Sequence, residues 1–355
     1  MPYKDLSLSS LTDLYLIENA SLNFIIYCLV PFILSFGALK LYMKLAPKYG
    51  LISSPNERSS HTKPTIVSGG IAFIPVLVLG LLYFVFDKVG FSFSAFISQP
   101  IILIALFTLC LSILGFIDDK MALSPKIRII LQMVFVALGI YFGLGTNFSL
   151  FNGAFSGPLL WIVLFLGWVW FINLYNFMDG IDGITSVQTL SILGGLFVMN
   201  SIAPEIFLLG FGVIIAFLVL NAPPSKLFMG DSGSLPLGYF LGFLLIKCAG
   251  TGVFGFSVAL ILPLYYLVDS GVTLVKRLKN GHKPWEAHRE HFYQTLSGSD
   301  FISQKRFILG LAMLNIALIG VCYTIPSISY GAVGIALLFV VGFIFGFKMF
   351  FKKAV

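Results

Sequence analysis

Five Asp and three Asn stand in three short blocks at the ends of apolar runs. The first block is Gly115-Phe116-Ile117-Asp118-Asp119. The second runs from Asn173 through Asn176 and Asp179-Gly180-Ile181-Asp182-Gly183. The third joins Asn221 to Phe228-Met229-Gly230-Asp231-Ser232-Gly233-Ser234. Ionised side chains are costly near hydrocarbon, and a chain that keeps them clustered there keeps them for function. Five Asp in glycine-rich turns point to one site that holds Mg2+ against a phosphate-bearing substrate. Mg2+ takes a few carboxylates and leaves its other positions to water and phosphate oxygens.

Each block has a plainer reading beside the chemical one. Adjacent carboxylates at Asp118 and Asp119 repel unless a cation or a shared proton intervenes; otherwise they are a solvated helix end. Lys126 and Arg128, one loop further on, suit pairing with them or holding a phosphate. Asn173, Asn176, Asp179 and Asp182 recur every three residues, which on a helix lines one face. Asn and Asp also cap helices, but four in one stripe exceed what a cap requires. In the third block, successive glycines and a helix start expose backbone N–H groups as an anion cradle. Asp231 would repel a bare phosphate there, and a metal between them removes the conflict. Phe228 suits either stacking on a nucleobase or packing in the membrane.

Two further loops carry cations and imidazoles. Residues 276–305 contain His282, His288 and His291 with Arg289. No Cys accompanies them, so a structural zinc site is a poor fit, and imidazoles beside phosphates fit better. Arg58, His61 and Lys63 form a positive patch in the loop 55–70, read as phosphate-binding or as a cytoplasmic anchor.

The elements that must hold these residues are membrane helices. The chain has 355 residues, 58% hydrophobic and 10% charged, against about 25% charged for soluble domains. A soluble fold is excluded, and the net charge of +7 is no nucleic-acid signal. Eleven apolar runs are long enough to be spans, at about 22–45, 67–87, 99–117, 126–145, 157–174, 184–200, 204–221, 234–250, 255–275, 306–325 and 330–350. Lys and Arg mark cytoplasmic loops. With the C-terminus inside, the outer side keeps only Lys4 and Lys88 of the 22 Lys and Arg, and Lys40 and Lys247 fall within spans. The expectation is an all-α polytopic membrane protein with about eleven transmembrane helices, N-out and C-in. Residues 1–21 form an extracytoplasmic segment, and 22–355 one integral-membrane domain. Cytoplasmic loops near 46–66, 118–126, 174–183, 221–233 and 276–305 bring the blocks to one face. The scattered cysteines Cys28, Cys110, Cys248 and Cys322 read as buried small side chains.

In this order the blocks resemble the polyprenyl-phosphate N-acetylhexosamine-1-phosphate transferases, the superfamily that includes the MraY translocase. The matching features are Asn56-Glu57-Arg58 with His61 and Gly69-Gly70, Asp118-Asp119, Asn173 to Gly183, and Asn221 to Ser234. The loop His288-Arg289-Glu290-His291-Phe292-Tyr293-Gln294 is similar to the O-antigen initiating WbpL/WbcO-like branch. The resemblance implies Mg2+, or Mn2+, on Asp231 with Asn176 nearby, and polyprenyl phosphate entering at Asp118 and Asp119. It also implies a nucleotide near Asp179, Asn221 and Phe228. It places the chain in a bacterial inner membrane, where a homodimer is compatible with it. The substrates would be a UDP-N-acetylhexosamine and undecaprenyl phosphate. The reaction would yield polyprenyl-diphosphate-sugar and UMP, the first step of O-antigen or other envelope polysaccharide synthesis. Asp182, His288 and His291 join the catalytic set; Arg58, His61, Lys63, Lys126, Asn173 and Arg289 join the substrate set. Two other readings are a cation-coupled transporter and a lipid or sugar-nucleotide binder without activity. Transporters hold their acids near mid-bilayer, whereas here the acids lie at one surface.

Overall fold

Pro100, Pro125, Pro158 and Pro204 each open a helix, where the missing N–H costs nothing and the fixed φ is already helical. The computed structural model describes residues 20–53, 64–145, 148–150, 153, 155–199, 203–250, 255–282, 290–297, 300–325 and 330–351. Arg58, His61, Lys63, His288 and Arg289 lie outside the described residues.

The helices in chain order are α1 (Ala20–Tyr49), α2 (Gly70–Val89), α3 (Pro100–Met121), α4 (Pro125–Leu144) and α5 (Pro158–Phe177). Then come α6 (Ile184–Val198), α7 (Pro204–Asn221), α8 (Asp231–Gly250), α9 (Phe256–Ile261) and α10 (Leu264–Lys279). The last three are α11 (Phe292–Leu296), α12 (Phe301–Thr324) and α13 (Tyr330–Phe351). A two-stranded ribbon, β1 (Ile52–Ser53) and β2 (Thr65–Ile66), pairs antiparallel with Ile52 opposite Ile66.

Among the described residues, nine helices are long and apolar enough to cross a membrane, not eleven. The other two apolar runs fall short. At 15 residues, α6 is about 22 Å long, less than the roughly 30 Å hydrocarbon core. The run at 255–275 breaks at Leu262-Pro263 into α9 and α10, because Pro cannot supply the N–H that continues a helix.

The helices alternate in direction, which side-chain contacts at both ends of the bundle show. Tyr27 near the start of α1 donates to Asp87 at the end of α2 (3.0 Å), and Lys88 there binds Glu205 at the start of α7 (2.9 Å). At the other end the terminus of α3, the terminus of α5, the terminus of α7 and the start of α8 meet. Central to the bundle is α8, apolar on all sides and buried on nearly all of them. Its start approaches α2 and α3 backbone to backbone. A Cβ at Gly70 would overlap the backbone of Ser232 and Gly233, and one at Gly115 would overlap that of Asp231. Small residues permit such approach between membrane helices. Ser112 of α3 adds a hydrogen bond to the Ser232 carbonyl (2.7 Å).

Candidate active site

Asp231 is the first residue of α8, and its position is set from three directions. Asn176, one residue before the last of α5, donates through Nδ2 to Asp231 Oδ1 (2.8 Å) and to Ser234 Oγ (3.0 Å). Arg128, in the first turn of α4, donates through Nη1 to Asp231 Oδ2 (3.0 Å) and to Asp118 Oδ2 (2.5 Å). Asp119 accepts from the Asp231 N–H (2.9 Å) and weakly from the Ser232 N–H (3.4 Å), and the Ser68 hydroxyl donates to it (2.6 Å). Gly230 makes this fit possible. Its φ is +71°, and a Cβ there would strike the Asp119 carboxylate and the backbone of Ser68.

These contacts correct one expectation. The start of α8 is not an open anion cradle, because the Asp119 carboxylate already occupies its first two N–H groups. Asp119 works as a helix cap borrowed from α3, stabilised by the positive end of the helix dipole. A second correction concerns the three-residue spacing. Helix α5 ends at Phe177, so Asn173 and Asn176 share a helical face but Asp179 and Asp182 do not continue it. Residues 178–183 are a turn, with Gly183 at φ +80° leading into α6.

The turn is held by the polar residues within it and near it. Asp182 accepts from the Ser225 N–H and hydroxyl, both at 2.8 Å. Asn221 accepts from the Gly183 N–H and donates to the Leu227 carbonyl, both at 2.9 Å. The segment after Leu227 runs beside β2: Phe228 N–H donates to Ile66 (2.8 Å), and Gly69 and Gly70 N–H donate to Phe228 and Met229 carbonyls (2.9 and 3.0 Å).

Together these loops enclose a cavity of about 500 Å³. Asp119, Asn176, Asp179, Asp182, Asn221, Phe228 and Asp231 line it, as the sequence led one to expect, and Lys120, Ser234 and Gln294 line it too. Asp118 lies just behind, joined through Arg128. Asp179 carries the cost of the crowding: burial pushes its carboxyl up to about 7, Thr185 opposes this through a hydrogen bond, and the nearby charges of Asp119 and Asp182 add to it.

Other sequence candidates stand elsewhere. Asn173 spends its amide on Gln132 of α4 (2.6 Å) and the Val169 carbonyl (2.8 Å), and does not line the cavity. Lys126 is exposed and also off the wall. His291 is buried, with Nδ1 3.1 Å from Asp269 of α10 and its ring stacked on Tyr293. Asp269 was missed in the sequence, although an Asp inside an apolar run is itself a signal. Arg128 pairs with Asp118, one of the two roles its place in the sequence suggested, whereas Lys120 was hidden among ordinary positive loop residues.

The donor set suits a hard cation. Four carboxylates and two Asn side chains line the cavity, and Arg128 and Lys120 leave negative charge in excess. Among the described residues no group of three or more His, Cys, Asp or Glu already converges as a closed metal cage.

Sequence comparison relates the chain to known proteins. The profile described as Glycosyl transferase family 4 matches residues 101–249. An undecaprenyl-phosphate alpha-N-acetylglucosaminyl 1-phosphate transferase of Yersinia pestis is 30% identical over 82% of this chain and 81% of its own length. A protein of the same name from Thermotoga maritima is 29% identical over 75% and 80%. A probable undecaprenyl-phosphate N-acetylglucosaminyl 1-phosphate transferase of Bacillus subtilis is 26% identical over 80% and 78%.

Proposed function

The chain belongs to glycosyl transferase family 4, and from that premise we propose that it transfers N-acetylhexosamine 1-phosphate from a UDP-sugar to undecaprenyl phosphate. The products are undecaprenyl-diphosphate-sugar and UMP. The observation that carries the proposal is the Asp118–Arg128–Asp231 bridge, which ties two sequence blocks to one cavity that the third block also lines. The names of the relatives supply the acceptor lipid and the acetylated sugar.

In this reaction an oxygen of the lipid phosphate attacks the phosphorus bonded to the sugar. The bond from that phosphorus to the bridging oxygen breaks, and its electron pair leaves with UMP. The sugar C1–O bond is untouched, so anomeric configuration is kept. One diphosphate replaces another, so catalysis consists mostly of positioning and charge stabilisation. Arg128 neutralises charge between Asp118 and Asp231 and holds both carboxylates in place. Asn176, itself bonded to the Ser234 hydroxyl, fixes the rotamer of Asp231. Asp118 and Asp119 accept hydrogen bonds from donors fixed in the fold, which suits orientation better than proton removal. A phosphate monoester, with a second pKa near about 6, needs no base at neutral pH. Phe228 offers an aromatic edge to the uracil. Asp231 with Asn176 would hold Mg2+, which when bound supplies diphosphate charge neutralisation and a better leaving group.

The site end of the bundle faces the cytoplasm in this proposal, with the chain in the bacterial inner membrane, N-out and C-in. The support is the charge asymmetry of the loops, which leaves only Lys4 and Lys88 on the opposite side. The sequence His288 to Gln294 supports the O-antigen initiating branch. The test is UMP release from a panel of UDP-N-acetylhexosamines by the purified full chain with undecaprenyl phosphate and Mg2+. Release with at least one sugar, abolished by chelation, is the expected result. Silence across the panel from folded protein overturns the proposal.

A further inference from the structure

One residue of the cavity wall carries a polar atom that the described residues leave unpartnered. Gln294 lines the cavity, and its side-chain oxygen Oε1 is buried with no hydrogen-bond partner among the described residues. The hydroxyls of Ser35, Ser186 and Ser191 and the side-chain oxygen of Asn315 are also unpartnered, but none lines the cavity. Three of those are serines within or beside helices, where a hydroxyl can turn to the i−4 carbonyl at little cost. A Gln carbonyl has no such outlet. A buried acceptor left unmade costs about 1–3 kcal/mol, and each case in a native fold asks for a reason.

The position of Gln294 is fixed with unusual thoroughness. It lies in α11, whose Phe292 and Tyr293 N–H groups donate to Asp269 at 2.8 and 2.9 Å. The Tyr293 hydroxyl donates to the Phe177 carbonyl at the end of α5 (3.0 Å). The Tyr293 ring lies so close to Gly180 that a Cβ there would not fit. The Gln294 N–H donates to His291 (3.1 Å). A clasp thus holds Tyr293 against Gly180 and Gln294 on a wall that also carries Asp119, Asp179, Asp182 and Asp231.

The chemistry of the orphan atom limits what it can meet. Carboxylates attract the cation and, through it, the diphosphate. A neutral carbonyl oxygen wants a neutral N–H donor. On the transferase reading above, on which this inference rests, the donor substrate carries two: the acetamido N–H of the sugar and the imide N–H of uracil. We propose that Gln294 Oε1 accepts one of these amide N–H groups and so sets the preference for the nucleotide sugar. Deletion of the acceptor then removes a preference rather than general activity, because the unsatisfied carbonyl penalises any ligand lacking the N–H.

The experiment measures Kd by calorimetry on the full chain purified in detergent, for four ligands. These are UDP-N-acetylglucosamine, UDP-glucose, UMP and CMP, compared between wild type and Gln294→Met. If the acetamido group is read, wild type prefers the acetylated sugar and the variant loses about tenfold of that preference. Its preference for UMP over CMP then stays as it was. If the imide is read, the UMP preference falls about tenfold and the acetamido preference stays. Gln294→Glu retains an acceptor and keeps the affected ratio while weakening all four anionic ligands. Gln294→Ala gives the same comparison should the Met side chain disturb α11. Both ratios unchanged in a folded variant overturn the inference. A wild type that binds these nucleotides yet releases no UMP overturns the transferase reading instead, so the two failures are distinct.

Discussion

Asp269 and Asp231 are carboxylates in neighbouring parts of one bundle, and they are used in opposite ways. Asp269 is fully buried and accepts five hydrogen bonds: from Tyr265 (2.9 Å), Thr273 (3.4 Å), His291 Nδ1 (3.1 Å) and the N–H groups of Phe292 and Tyr293. Every one of these donors belongs to α10 or to the segment it anchors. Asp231 receives one amide and one shared guanidinium, with Asp118 and Asp119 at close range and a cavity in front. The protein saturates the first carboxylate and leaves the second short of positive charge. A saturated carboxylate builds a loop; an undersupplied one has coordination to offer a ligand. Counting donors therefore separates architecture from chemistry where residue type alone does not.

The sharpest way to break this contrast is Asp231→Asn. The amide preserves shape and can still accept from Asn176, so the thermal midpoint in detergent should hold or rise. UMP release should fall about 10³-fold, the scale on which removal of one preorganised electrostatic partner acts. A large fall in stability with modest loss of activity would place Asp231 with Asp269. Next in size is Arg128→Met. It leaves Asp118 and Asp231 facing each other without their shared cation. Removing one partner of a partly buried ion pair costs about 3–5 kcal/mol at full burial and less here, where Arg128 is 29% exposed. Activity should fall about 10²-fold, and Arg128→Lys should recover only part, since a Lys point charge lacks the fork that spans two carboxylates.

Asp269→Asn should show the reverse profile. Five donors then face an amide that brings two N–H groups of its own, and some of those donors lose their acceptor. A loss of about 2–4 kcal/mol is expected, read as a drop of several degrees in thermal midpoint. Early proteolytic cleavage near residues 290–297 should accompany it. Saturating UDP-sugar should restore part of the activity of this variant, as ligand binding favours the folded clasp by mass action. It should restore none to Asp231→Asn.

How far this contrast was legible in the sequence differs between fold and site. Each of the eleven apolar runs is helical, because twenty consecutive apolar residues have few other options in lipid. Two of them do not form one continuous helix of spanning length, since the ends of α6 and the break at Pro263 depend on packing that hydropathy does not register. The blocks themselves were legible because acids are rare among apolar runs. Their division of labour was not. Asn173, Asn176, Asp179 and Asp182 share a spacing, yet Asn173 ties α5 to α4, Asn176 orients Asp231, Asp182 holds Ser225 at the cavity wall, and Asp179 brings there a carboxyl whose pKa burial raises. Gly180 and Gly183 signal a break in the helix but do not mark Phe177 as its last residue, and that boundary decides all four roles. Likewise Gln294 looks like any polar loop residue until Asp269, 25 positions earlier, fixes where it points.

The smallest effect concerns Asp179, and its sign tests whether the site lacks a cation. Burial raises its folded pKa from the ordinary 3.8 to about 7. A raised folded pKa means the folded protein holds a proton that the unfolded chain has released. Linkage then makes this contribution to stability fully present below about pH 4 and lost as pH rises through 7. In chelator, therefore, the thermal midpoint should decline between about pH 4 and 7 and level off above, and Asp179→Asn should flatten that slope. Added Mg2+ should act oppositely, because a cation near the carboxylate favours its ionised form. Mg2+ should stabilise more at pH 8 than at pH 6 and release protons on binding, measurable as buffer-dependent heat in calorimetry. If Asp179→Asn leaves the pH slope and the proton release unchanged, Asp179 belongs with the saturated carboxylates. The boundary drawn here between the two classes would then have to move.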